Sequence, residues 1–186
     1  EINISLLGLE AKSYPDLKKL ITFYSNKHNH DNTNKLIEAY NRFIEDKFDT
    51  VSIDDLRYIQ KEFQNILDSD IVENTFDYQI FKNMIASIDI YIYGAAGDID
   101  MKNNVRDKNM AENIFWYKKK HPKAKIIVWT ANFHGAKSIK NIRYKEKEPK
   151  VYESNKLLGE YLSEHFKVYS IAFTSSEGNV LENMYG

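Results

Sequence analysis

The side chains best suited to chemistry are a histidine, an arginine and a few polar residues that follow apolar runs. His134 can transfer a proton near neutral pH, and Asn132 can point the same way if the chain is extended. Arg106 can hold a carboxylate or the developing oxyanion of an ester. Glu10 can orient a water or a histidine, and Thr174 opens a run of small residues that can line a site. This set is chemically suited to holding an anionic group and to moving a proton.

Each of these residues also has a plainer interpretation. His134 can simply tie its loop to a backbone carbonyl, and Glu10 can be a solvated carboxylate. Thr174 can belong to an ordinary loop. Arg106 can be an exposed arginine, although a cation near a helix start opposes the helix dipole. A nearby carboxylate such as Glu10 or Glu112 would offset that cost, so Glu112 is a further candidate for the site.

The stretch from 106 to 138 is predicted to place these side chains. It indicates a helix capped by Asp107, a stop at His121-Pro122, and a buried strand formed by the apolar run 126–129. Polar residues begin at Thr130. Since ligands bind at the carboxyl ends of strands in parallel α/β sheets, the loop 130–138 is the expected site.

The rest of the chain favours an α/β fold with a mainly parallel sheet and crossover helices. Alternation from Ile2 to Leu6 predicts a first strand, and a run from Val168 to Phe173 predicts a last one. Between them, four amphipathic segments from about 15 to 93 indicate a helical insertion, whose last helix is expected to include 90–93. Positions 94–104 are expected to form a loop. Residues 1–186 then form a single domain, expected to be part of a larger protein.

Two ordered motifs carry a family resemblance. RDKNMAEN at 106–113 and IIVWTANFHGAKS at 126–138 resemble the erythromycin esterase-like family. Its members have Arg-Asp-x-x-Met-Ala-x-Asn opening a helix, and later a strand ending Trp-Ala-His-Asn-x-His. ISLLGLE and LLGEYLSEHFKVYSIAFTSSEG resemble flanking elements of the family, a strand ending Gly-x-Asp and a Met-Gly-x-x-Leu helix with the strand that follows it.

The resemblance implies a bacterial hydrolase of the kind that opens a macrolide lactone, a reaction linked to antibiotic resistance. Water would attack with the help of a histidine, without a covalent intermediate or an organic cofactor. Two departures weaken this expectation. Ala131 stands where the family often has a histidine, and the family's Gly-Glu-x-x-His-Gly motif, which holds its presumed general base, is not in the sequence. The chain is therefore expected to be a fragment, a processed chain or a diverged member, and a weak or inactive esterase by itself. A non-catalytic domain that binds a small molecule or a partner is the alternative.

Composition excludes several other classes. The net charge of −1 offers no attraction to nucleic acid, and no apolar run is long enough to cross a membrane. Neither a Gly-x-Ser-x-Gly elbow nor a phosphate-binding glycine loop is present, and there is no cysteine. We expect a small-molecule substrate, no cofactor and no metal. Flanking segments of the same protein are expected to complete the fold. The compartment stays open, with the cytoplasm favoured.

Overall fold

The computed structural model of the protein describes residues 17–27, 33–45, 51–69, 73, 75–141 and 154–172. Within these ranges the chain forms six α-helices and one short 3₁₀ turn, and no strand. The helices are α1 Leu17–Lys27, α2 Thr33–Glu45, α3 Ile53–Ser69, α4 Phe76–Ala95, α5 Ile99–Lys120 and α6 Leu158–His165, and the 3₁₀ turn is Ile139–Asn141.

The larger hydrophobic core lies among α1, α2, α3 and α4. Each of these helices buries the apolar stripe that its sequence periodicity predicts. Aromatic rings meet edge to face at the centre, with the Phe63 and Phe81 centroids 5.3 Å apart and those of Tyr24 and Phe81 5.9 Å apart. The predicted helices are confirmed, including the extension of α4 through positions 90–93. Whether they form an insertion in a single domain remains a prediction.

Helices α4 and α5 are joined by a buried amide network. Gln79 Nε2 donates to Asn113 Oδ1 over 2.6 Å, and Asn113 Nδ2 donates to Asn83 Oδ1 over 2.9 Å. Beside them the ammonium group of Lys82 lies 2.8 Å from the Glu112 carboxylate. Buried amides need partners, so the network fixes the register of α5 against α4.

The start of α5 corrects one expectation. The stretch 94–104 is not a loop, because α5 begins at Ile99 and Asp98 caps it by accepting from the Met101 N–H over 3.0 Å. Gly97 makes the turn from α4 with φ of 73°, a conformation that glycine adopts without steric cost. Asp107 is therefore not the N-cap of α5; it lies two turns inside that helix.

The predicted parallel α/β sheet is wrong for the described residues, which are helical where they are regular. Positions 125–129 and 167–172 have no regular secondary structure, and no backbone hydrogen bond joins them among the described residues. Only Val128 and Val168 pack against a second, smaller core formed by α5 and α6. Ile127 is 92% exposed and Trp129 is 85% exposed. The run 126–129 is therefore not buried on both faces: Val128 packs against α5 and α6, and its two neighbours are in water.

The predicted first strand at Ile2–Leu6, Phe173 at the end of the predicted last strand, and the candidate residues Glu10 and Thr174 lie outside the described residues. Within the described part, none of the helices combines the length and apolarity needed to span a membrane.

Candidate active site

A carboxylate and a histidine form the centre of the site. Nδ1 of His134 lies 2.9 Å from Oδ1 and 3.0 Å from Oδ2 of Asp107. The Asp107 side chain is 0% exposed and that of His134 is 13% exposed. An ionised carboxylate only accepts hydrogen bonds, so Nδ1 carries the donating hydrogen. In neutral His134 the other nitrogen, Nε2, is then the one that can accept a proton.

Helix α6 provides a second donor to the same carboxylate. The backbone N–H of Leu158 donates to Asp107 Oδ1 over 2.9 Å. The residue at the N-cap of α6, Leu157, makes no side-chain cap hydrogen bond. Asp107 therefore caps α6 from a neighbouring helix, at the end where the helix dipole favours an anion. The buried charge of Asp107 is stabilised from two sides, by an imidazole ring and by a helix N-terminus.

A polar stripe along α5 holds the segment that leads into α6. Asp100, Asn104 and Asp107 are spaced by four and three residues, which places them on one face of the helix. Asp100 accepts from the Ser154 hydroxyl over 2.7 Å, and Asn104 accepts from the Lys156 N–H over 2.9 Å. The sequence analysis missed this stripe, although polar residues at helical spacing before the apolar part of α5 were a visible signal for it.

The remaining predicted site residues lie at different places. Arg106 is half-buried on α5, next to Asp107 in sequence, and Asn132 is exposed in the loop that carries His134. Glu112 is five residues beyond Asp107, about 140° around the helix axis, and it pairs with Lys82 on the side that faces α4. The structure thus brings His134 to Asp107 and places Glu112 on a different face of α5. The role expected for Asp107 was a cap, so the sequence analysis missed the partner of His134.

In the part of the chain that the structure describes, helices hold a buried carboxylate against a histidine ring. The family model described as erythromycin esterase matches residues 2–184. The chain belongs to the erythromycin esterase family, an esterase-like hydrolase family, as its two motifs indicated. A search of curated proteins and a search of solved structures each find no match.

Proposed function

We propose that the chain hydrolyses an ester or lactone with His134 as the proton-transfer group. The observation that supports this most directly is the contact between Nδ1 of His134 and the fully buried Asp107 carboxylate. A carboxylate at Nδ1 fixes the orientation of the ring and stabilises the imidazolium that forms when Nε2 accepts a proton. A histidine held in this way is suited to general base catalysis.

The reaction proceeds without a covalent enzyme intermediate. Nε2 of His134 takes a proton from water while the water oxygen bonds to the carbonyl carbon, whose oxygen becomes an oxyanion. The intermediate then collapses, the carbon–oxygen bond to the alcohol breaks, and the imidazolium returns its proton to the leaving alkoxide. Arg106 is the candidate to stabilise the oxyanion, because a guanidinium donates two parallel hydrogen bonds. The products are a carboxylic acid and an alcohol, and no cofactor takes part.

Weak catalysis is part of the proposal. Ala131 is exposed in the same loop as His134, at the position where relatives often carry a histidine, and the sequence has no Gly-Glu-x-x-His-Gly motif. These two departures also favour the alternative function, a non-catalytic domain that binds a small molecule or a partner. Activity of the chain itself separates the two functions.

The test compares His134→Ala with the wild-type chain on p-nitrophenyl butyrate and on a macrolide lactone. Removing one acid–base group is expected to lower turnover by about 10²–10⁴-fold. His121→Ala is the matched control, since His121 is exposed at the end of α5 and should leave turnover unchanged. Ala131→His is expected to increase turnover. Equal turnover in wild type and His134→Ala would remove His134 from the mechanism, and no hydrolysis by any variant would favour the binding domain.

A further inference from the structure

The start of α6 approaches the His134 loop so closely that only glycine fits there. A Cβ placed on Gly159 would lie 2.3 Å from the carbonyl oxygen and 2.6 Å from the carbonyl carbon of Gly135, and 2.7 Å from the carbonyl oxygen of Ala136. All three atoms belong to the backbone, so no flexible side chain can move aside. Glycine is required at position 159 for space.

Two backbone hydrogen bonds run from the first turn of α6 to the catalytic pair. The N–H of Leu158 donates to the Asp107 carboxylate over 2.9 Å. The N–H of Gly159 donates to the carbonyl oxygen of His134, also over 2.9 Å. The carboxylate that orients the imidazole and the backbone that carries it are therefore anchored to adjacent residues of one helix.

We propose that Gly159 is a positioning residue for His134, which it holds against Asp107 through the backbone of the loop 134–136. This inference rests on the proposed catalytic role of His134. Any side chain at 159 must push the loop back by roughly 1 Å to reach an ordinary contact near 3.4 Å. A shift of that size lengthens the bond from Gly159 to the His134 carbonyl and moves the ring away from the carboxylate. A displacement of about 1 Å can cost about 10²-fold in rate.

The test compares Gly159→Ala with Gly94→Ala, the same substitution in a helix where there is room. A Cβ on Gly94 would meet only the side chain of Lys102, at 3.6 Å. Long-range ¹H–¹⁵N NMR of the imidazole ring reports the tautomer of His134 and the hydrogen bond at Nδ1. Gly159→Ala is expected to change these ring signals and to lower kcat for p-nitrophenyl butyrate by about 10²-fold, with KM little changed. Gly94→Ala is expected to change neither.

The ring signals and the rate together distinguish the positioning role of Gly159 from the catalytic role of His134. Native ring signals and a native rate in folded Gly159→Ala would overturn the positioning role. Altered ring signals, with equal hydrolysis by wild type and His134→Ala, would support the positioning role and overturn the proposed function instead.

A measurement on the wild-type chain covers the case in which Gly159→Ala does not fold. Amide groups in the first turn of a helix have no partner four residues earlier and normally exchange quickly. The Gly159 amide is expected to be protected from hydrogen exchange at least about tenfold, because it is bonded to the His134 carbonyl. Exchange at the rate of an unbonded amide would overturn the proposal.

Discussion

Asp107 is a fully buried carboxylate with two hydrogen-bonding partners. It accepts from the His134 ring and from the Leu158 N–H, both at 2.9 Å. Burying an unpaired carboxylate is costly, so these donors contribute to folding as well as to the orientation of the ring. The Asp107 side chain that accepts from the His134 ring also links α5 to α6.

At this position an amide is a poor substitute for the acid. In Asp107→Asn one oxygen is replaced by an NH₂ group. It either faces the Leu158 N–H as donor against donor, or donates to Nδ1 of His134 and moves the ring hydrogen to Nε2, which can then no longer accept a proton. The expected loss in the free energy of unfolding is about 1–3 kcal/mol, measured by urea titration. Turnover should fall with it, and the His134 ring signals should change.

The matched control is Asp68→Asn, because Asp68 is exposed near the end of α3. It should leave stability and turnover near wild type. Native stability in Asp107→Asn would contradict the view that Asp107 holds the site together.

The sequence pointed to His134 as a candidate residue, whereas it did not reveal the contact of His134 with Asp107. Its type, its place after an apolar run and the family motif all pointed to the loop 130–138. The role of Asp107 depended on where α5 begins. An aspartate ahead of an apolar periodicity has the same appearance as a cap, and only the capping hydrogen bond from Met101 to Asp98 shows that the helix starts two turns earlier.

At the scale of elements, polar contacts decide how the helices pair. Gln60 on α3 donates to the Asp89 carboxylate on α4 over 2.6 Å. Burial raises the pKa of Asp89 above its ordinary value of 3.8, and the hydrogen bond from Gln60 offsets part of that rise. Compared with the unfolded chain, the folded chain therefore favours the protonated form of this carboxyl group. The stability contributed by this group is complete below pH 3.8 and is lost as the pH rises through the folded pKa.

Asp89→Asn removes the charge and keeps an oxygen that can accept from Gln60. The variant is expected to be more stable than wild type at pH 7, by less than about 1 kcal/mol because the half-buried carboxylate keeps part of its hydration. The difference should shrink as the pH falls toward 4. Urea unfolding of both proteins at several pH values measures it. A difference that grows on acidification would show that the charged form stabilises the α3–α4 contact.

Helices α1 to α4 were accessible to sequence analysis because each has a long apolar stripe at helical spacing. The first two turns of α5 were not, since their inner face is polar. Asp100 and Asn104 bind the segment before α6 there, a contact about 50 positions away along the chain. Periodicity of apolar residues cannot reveal such a contact. Because the inner face of these two turns is polar, their sequence resembles that of a loop.

At the scale of the molecule, the contact between α4 and α5 joins two hydrophobic cores. The first lies among α1 to α4, and the second lies between α5 and α6, beside the His134 site. The expected sheet would have buried the run 126–129 as a central strand. Its composition agrees with that expectation, because four consecutive apolar residues are typical of a buried parallel strand. Burial depends on what covers the segment, and within the described ranges it is Val128 that packs against the α5–α6 core.

Paired isoleucine substitutions test this arrangement of cores. Ile88 on α4 is 0% exposed in the first core, whereas Ile127 is 92% exposed. Ile88→Ala is expected to lower the free energy of unfolding by about 2–5 kcal/mol, because it removes buried methyl groups and leaves a cavity. Ile127→Ala should change it by no more than about 0.5 kcal/mol, since its side chain is already in water. Urea unfolding followed by far-UV circular dichroism measures both values, and the two variants lose the same side-chain atoms. A cost at Ile127 comparable to that at Ile88 would mean that this run is buried in solution, and the helical arrangement of the second core would have to be abandoned.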